Sequence, residues 1–461
     1  TGQLMTIQSG GTLAIATDSS SPALKWVQAG ATDQTLAVFR VNSTYEDIRL
    51  ERIGFQIATS ASSSDGMASN TPSDISKITV WNGAKKIGES TFSSGDFATT
   101  TFTTEFGATQ ADYTVVKDTQ ILITVKGDIG TIGTVTNAFP GHLIVVNYDG
   151  SAAESEAEPG VKGTGLSSGN AIYGGTSDAT TNGARIAKAI PTVERVALTS
   201  TKFSNVSGQI LYRFKVTSPA GTNGISLYKF TFLVSTSVSG YMQEMVDAVA
   251  GIGDVPPVSD FQVTNYQVYC YEDSAFSIAS CENSGTTGGL VNGSGVSDFS
   301  TIASSTSSAN NDQEVRILFN PQNPTSATAE AIVIPAGYTR YFALKADVTG
   351  ASSTPAITAK MQGDAQFASL NDAGDGENVS GSSDTATSQA AVGDNWTTTG
   401  RYVFATTANI VDNWDDDDFI WSGNSTNTAM SISTYDWFNG FLVPGLSNTD
   451  VGTTETLTLT N

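Results

Sequence analysis

Apolar and polar side chains alternate one for one in stretch after stretch of this sequence. Thr35-Leu36-Ala37-Val38-Phe39-Arg40-Val41 and Glu51-Arg52-Ile53-Gly54-Phe55-Gln56-Ile57 are examples. So are Gln120 to Val125, Gln209 to Val216, Leu227 to Val234, Phe261 to Tyr271 and Arg340 to Ala346. A period of two places every second side chain on the same face, so each stretch predicts a strand with one buried side. Clusters of Gly, Ser, Asn and Asp between them supply turn chemistry. Helical spacing occurs once, over Gly240 to Ala250, with Tyr241, Met245 and Val249 four apart; Gly251, Gly253 and Pro256-Pro257 end it. The expected class is all-β, with long loops and one short helix.

The strand patterns occur twice. Phe39-Arg40-Val41 matches Phe214-Lys215-Val216. Ile48-x-Leu50 with Ile53-x-Phe55-x-Ile57 matches Ile225-x-Leu227 with Phe230-x-Phe232-x-Val234, and Ile123-x-Val125-Lys126-x-Asp128 matches Phe342-x-Leu344-Lys345-x-Asp347. The matched positions face inward, apart from the strand-ending Lys-x-Asp, as two copies of one sandwich require. The reading is tandem immunoglobulin-like β-sandwich domains, the first at 1–150 and the second at 188–410. Residues 151–187, rich in Ser, Gly, Ala and Glu, read as a linker or edge segment. Residues 411–461 read as an aromatic and acidic β segment packed on or near the second domain. An insertion between Val234 and Phe342 holds the helix-like piece and both cysteines.

Acidic residues outnumber basic ones 45 to 22, for a net charge of −23. That excludes nucleic acid as a partner, since binding it needs Lys and Arg to displace counterions. No apolar run reaches the roughly 18 residues of a membrane span. The chain opens at Thr1 with no signal-type apolar run, which predicts an exported chain freed of its leader.

Chemistry is sparse. His142, the one histidine, heads an apolar strand and reads as a non-catalytic strand end. No Gly-x-Ser-x-Gly elbow and no phosphate-cradling loop occur. The expectation is that the chain is not an enzyme. Cys270 and Cys281, the only cysteines, read as a disulfide, with two buried thiols as the alternative. Two acidic loops are candidates for Ca²⁺: Asp372, Asp375 and Glu377 between glycines, and Asp415 with Asp417 in a run of four aspartates. Plain solvation of either loop stays open. Asn42, Asn205, Asn292, Asn378, Asn395 and Asn424 form glycosylation sequons.

The second copy resembles the surface-layer-like β proteins of ultra-small candidate phyla radiation bacteria (Patescibacteria). The resemblance rests on Tyr212-Arg213-Phe214-Lys215-Val216, Ile225 to Phe230, Ile334 to Arg340, Asp418-Phe419-Ile420-Trp421-Ser422, and Asp436-Trp437-Phe438-Asn439-Gly440-Phe441 through Leu446. It covers residues 190 to 446 well and the first domain loosely. It implies an exported cell-surface structural protein of β-sandwich fold and carries over no ligand or catalytic residue. A wall-anchoring module is not recognisable.

The expected function is therefore an extracellular structural protein that self-assembles on the cell surface, as an S-layer lattice or filament subunit. The alternative is an adhesin or glycan-binding protein that meets cell-envelope glycans through Trp414, Trp421 and Trp437. For assembly, terminal alternations are the candidates: Leu4 and Ile7 at one end, Leu457 and Leu459 at the other. A terminal strand donated to a neighbour makes a propagating joint.

Overall fold

The computed structural model describes residues 10–57, 72–92, 96–133, 138, 140–150, 160–175, 177–237, 261–281, 288–291, 312–319, 331–351, 355–364, 418–425, 437–448 and 454–459. The chain divides into two compact units, Thr1–Lys188 and Ala189–Asn461. Both are built from strands. Among the described residues, helical structure is confined to two 3₁₀ turns, Pro72–Asp74 and Gln110–Tyr113. The helix expected at Gly240 to Ala250 lies outside the described residues.

The first unit contains, in chain order, β1 (Thr12–Thr17), β2 (Lys25–Gln28), β3 (Gln34–Thr44), β4 (Ile48–Ile57), β5 (Ile75–Asn82), β6 (Lys85–Ser90), β7 (Phe97–Thr101), β8 (Thr114–Val115), β9 (Gln120–Ile129), β10 (Leu143–Ile144), β11 (Val146–Tyr148), β12 (Val161–Gly165), β13 (Ala171–Gly174) and β14 (Ala184–Ala187). One sheet runs β1-β3-β9-β5-β6. A second runs β11-β4-β12-β13, with β7 and β8 also on β4, and a third runs β10-β14-β2. One core joins them: Phe39, Val41, Ile53, Phe55, Ile78, Val80, Ile123 and Ile186 are all buried in it. Phe39 and Phe55 meet across the sheets with ring centroids 6.0 Å apart.

The second unit contains β15 (Thr192–Arg195), β16 (Lys202–Phe203), β17 (Gln209–Thr217), β18 (Ile225–Thr236), β19 (Gln262–Tyr271), β20 (Asp312–Leu318), β21 (Ile332–Ile334), β22 (Thr339–Thr349), β23 (Ala356–Met361), β24 (Phe419–Ser422), β25 (Trp437–Phe438) and β26 (Thr454–Leu459). Its sheets run β15-β17-β22-β19 and β16-β26-β23-β18-β24-β25, with β20 and β21 also on β18.

The two units repeat one another in register as well as in order. Phe39 lies opposite Ile123 in the first, and Phe214 opposite Phe342 in the second. The ladder slips between Thr35 and Ala37, and again at the matching place between Ile210 and Tyr212. Phe214 meets Phe232 at 6.0 Å, as Phe39 meets Phe55. Each unit closes with its last strand parallel to an early one: β14 on β2, and β26 on β16.

The two segments read apart from the sandwich domains both supply strands to the sheets of the units. Of residues 151–187, read as a linker or edge segment, those from Val161 on supply β12, β13 and β14: β13 is an edge strand as the second alternative has it, whereas β12 sits inside its sheet between β4 and β13. Residues 411–461, read as a β segment packed on or near the second domain, supply β24, β25 and β26 to the second unit's own sheet where they are described. β24 and β25 take the places of β12 and β13 in the second unit, and β26 that of β14. Strands supplied late in the chain complete sheets begun early, so composition changes inside a unit and not at its border.

Candidate functional site

The strand-ending Lys-x-Asp of the repeat builds the same device in both units. Alternation turns Val125 and Leu344 inward, where both are fully buried, and leaves Lys126, Asp128, Lys345 and Asp347 half-buried on the outer face. The aspartate arm holds a turn. Asp128 Oδ1 accepts the Asp33 N–H at 3.0 Å, and Asp347 Oδ1 accepts the Gly208 N–H at 2.8 Å. Both turn residues have left-handed backbone, φ 54° at Asp33 and 73° at Gly208. Asp128 also pairs with Lys77 at 3.4 Å. Asp347 also accepts from Asn265 Nδ2 at 2.9 Å and from the Ser207 hydroxyl. Burial pushes the Asp347 carboxyl up, but these hydrogen bonds outweigh it and hold it below the usual carboxylate range.

The lysine arm meets an aromatic ring on the neighbouring strand. Lys126 Nζ stands 4.5 Å from the centroid of the Trp81 ring, and Lys345 Nζ stands 4.1 Å from that of Tyr269. The rings occupy equivalent places: Trp81 opposes Thr124, and Tyr269 opposes Ala343. Each ring is tied at its polar end to the residue two places earlier on its strand. Trp81 Nε1–H donates to Thr79 Oγ1 at 2.9 Å, and the Tyr269 hydroxyl donates to Gln267 Oε1 at 3.3 Å. An ammonium over such a ring contributes about 0.5–1 kcal/mol at an accessible site. The Lys-x-Asp was visible in the sequence as part of the repeat. Its aromatic partners were missed, although extending the repeat to β5 and β19 would have found them.

Cys270 and Cys281 form a disulfide, Cα–Cα 5.8 Å, as expected. The loop they close folds around Asp273, which accepts the Ser277 and Ile278 N–H groups at 2.9 and 2.7 Å. Phe276 then lies 5.3 Å from Tyr271 and under the Arg213 guanidinium at 4.3 Å. The Ca²⁺ candidates Asp372, Asp375, Glu377, Asp415 and Asp417 lie outside the described residues, as do Leu4, Ile7 and Trp414. Among the described residues, no group of three or more His, Cys, Asp or Glu comes together.

Trp421 does not serve as an exposed sugar platform. It is fully buried, packed on Phe438 at 4.9 Å between centroids. Leu457 and Leu459 belong to β26, which is flanked on both sides within its own unit: Leu457 opposes Ile357 of β23, and Leu459 opposes Phe203 of β16. Of the sequons, Asn424 is buried and its Oδ1 accepts from Ser226 Oγ at 2.8 Å. Asn205 is engaged with the Ala351 backbone through both side-chain atoms. His142 Nδ1 pairs with buried Asp74 at 2.8 Å, a contact made at the strand end.

No family model matches the chain, and no curated protein matches its sequence. Among solved structures, similarity extends to the C-terminal domain of the Streptococcus agalactiae AgI/II polypeptide BspA: 11% identity, 76% of this chain, 95% of that one, TM-score 0.17. The collagen adhesin of S. aureus gives 8%, 77%, 86% and 0.14. A C-terminal fragment of the S. agalactiae major pilin gives 10%, 76%, 85% and 0.16. Scores this low leave fold and function to be argued from this chain's own residues. Among the described residues, no helix is long and apolar enough to cross a membrane.

Proposed function

We propose that this chain is an extracellular structural protein of a cell surface, that it assembles with further copies of itself into a lattice or filament, and that its role is not catalytic. The observation that carries this reading is the duplication. One β unit, immunoglobulin-like in our assignment, is built twice with the same ladder slip, closing strand and Lys-x-Asp device. Repetition of a module is how chains extend a surface while keeping the contacts of each module local. The disulfide fits an oxidising compartment. A net charge of −23 makes copies repel, and Ca²⁺ on acidic loops would relieve that repulsion. Negative-stain microscopy and light scattering of the purified chain, with and without Ca²⁺, test the reading. Ordered arrays support it; a monodisperse monomer in every condition sinks it.

A second reading, a glycan-binding surface protein, is favoured by one observation: the half-buried Trp81 and Tyr269 rings beside Lys126 and Lys345.

A further inference from the structure

We infer that the Lys126–Trp81 and Lys345–Tyr269 pairs are two equivalent subsites for a carboxylate-bearing polysaccharide. The inference deepens the glycan-binding reading and is independent of self-assembly.

The first support is charge. In a chain with twice as many acidic as basic residues, several cations are taken up by carboxylates. Lys77, Lys86, Lys162, Lys215 and Arg40 each lie within 4 Å of one. Lys126 and Lys345 form no such ion pair among the described residues and stand on aromatic rings instead. An ammonium held on a ring retains donors for an incoming anion.

The second support is preorganisation. The hydrogen bonds from Trp81 to Thr79 and from Tyr269 to Gln267 fix both rings along their strands, so little side-chain freedom is lost on binding. The third is recurrence at matching strand positions in two units whose core residues differ, Ile123 in one being Phe342 in the other.

The chemistry follows from the pair. A sugar's C–H groups pack on the part of each half-buried ring that the ammonium leaves uncovered, and its carboxylate takes a charge-assisted hydrogen bond from the ammonium. A neutral sugar meets only the ring, and an acidic peptide lacks the flat C–H face. The complementary ligand is a polymer of uronic acids. The rest of the surface, being acidic, repels such a polymer, so contact is confined to places like these.

The test uses the full chain at a concentration where light scattering shows monomer, which separates polymer binding from assembly. Polygalacturonate is the probe and dextran the neutral control. The expected result is binding of polygalacturonate that weakens with added salt, and at least about tenfold weaker binding of dextran. Lys126→Gln and Lys345→Gln each reduce affinity, the double variant by about tenfold or more, and the matching arginine variants retain it. Should a glutamine variant unfold, the folded arginine variants and a folded Trp81→Leu, Tyr269→Leu double variant decide: binding kept by arginine and lost by the leucine double variant supports the inference, and binding lost by arginine or kept by leucine overturns it. It is overturned if the wild type ignores polygalacturonate, if dextran binds equally, or if the folded double variant binds like wild type. It is also overturned if the variants lose only self-association at higher concentration, which would assign the lysines to acidic segments of another copy.

Discussion

Trp421 donates its indole N–H to the backbone carbonyl of Asn439, 2.8 Å away, from a position with no solvent exposure. The residue is therefore an anchor between β24 and the segment after β25. Trp421→Phe keeps much of the packing and removes that hydrogen bond, at a cost of about 1 kcal/mol. Trp421→Ala adds a cavity and should cost about 3–5 kcal/mol. Denaturant unfolding of the purified variants measures both. Polysaccharide binding by folded Trp421→Phe should match that of the wild type.

The disulfide joins residues only 11 apart in sequence. Replacing Cys270 and Cys281 together by alanine should destabilise the second unit by about 2–3 kcal/mol, the chain entropy of a short loop. The first unit, which contains no cysteine, should unfold unchanged. Calorimetry with separate transitions for the two units reads this directly. A change confined to the first unit would contradict the assignment.

Asp347 gives the second unit an acid limb. Its folded pKa is depressed by hydrogen bonds that exceed the opposing effect of burial. A depressed carboxylate contributes stability above its unfolded value of about 3.9. That contribution is lost as pH falls through the lower folded value. Asp347→Asn removes this pH-dependent part, so the gap between wild type and variant should narrow between about pH 5 and pH 2. Equal stability loss at every pH would rule the mechanism out.

Gly208 and Asp33 occupy equivalent turns of the two units, both at positive φ. The first unit thus shows that aspartate is accommodated there, since short polar side chains tolerate this region. Gly208→Asp should cost well under 1 kcal/mol, and Gly208→Val at least about 1–2 kcal/mol. The difference in unfolding midpoint between these two variants is the measurement.

Gly445 marks a contact that no side chain could survive. Its φ is 93°, and a Cβ there would stand 1.6 Å from the Val193 carbonyl oxygen, whose residue donates its N–H to the Pro444 carbonyl at 2.8 Å. Gly445→Ala should destabilise the second unit by more than about 2 kcal/mol, with proteolysis at the β15 end as the accessible readout.

The long two-faced strands were legible in the sequence because burial on one side imposes alternation, as in β3, β9, β17 and β22. The repeat was legible for the same reason. β14 was not: all four of its residues, Ala184 to Ala187, are buried, so nothing alternates. β12 was hidden by Gly163 and Gly165, which pack against β4 without leaving an apolar signature. Those two losses left residues that complete a sheet read as a linker or edge segment. The site was half legible. Lysine and aspartate are on one strand two residues apart, where a pattern shows them, whereas their aromatic partners come from a different strand and appear only once pairing is known.

The parallel closure of each unit has a consequence for how the chain is made. β2 cannot gain its β14 partner until Ala184 to Ala187 have been synthesised, and β16 waits for β26 from Thr454 to Leu459. Contacts this distant in sequence form slowly, because the loop between them must first be closed. A half-emerged unit therefore lacks its last seam and stays open. That delay leaves each unit without its closing pair until the last of its strands has been made. The first unit can then seal while the second is still being synthesised.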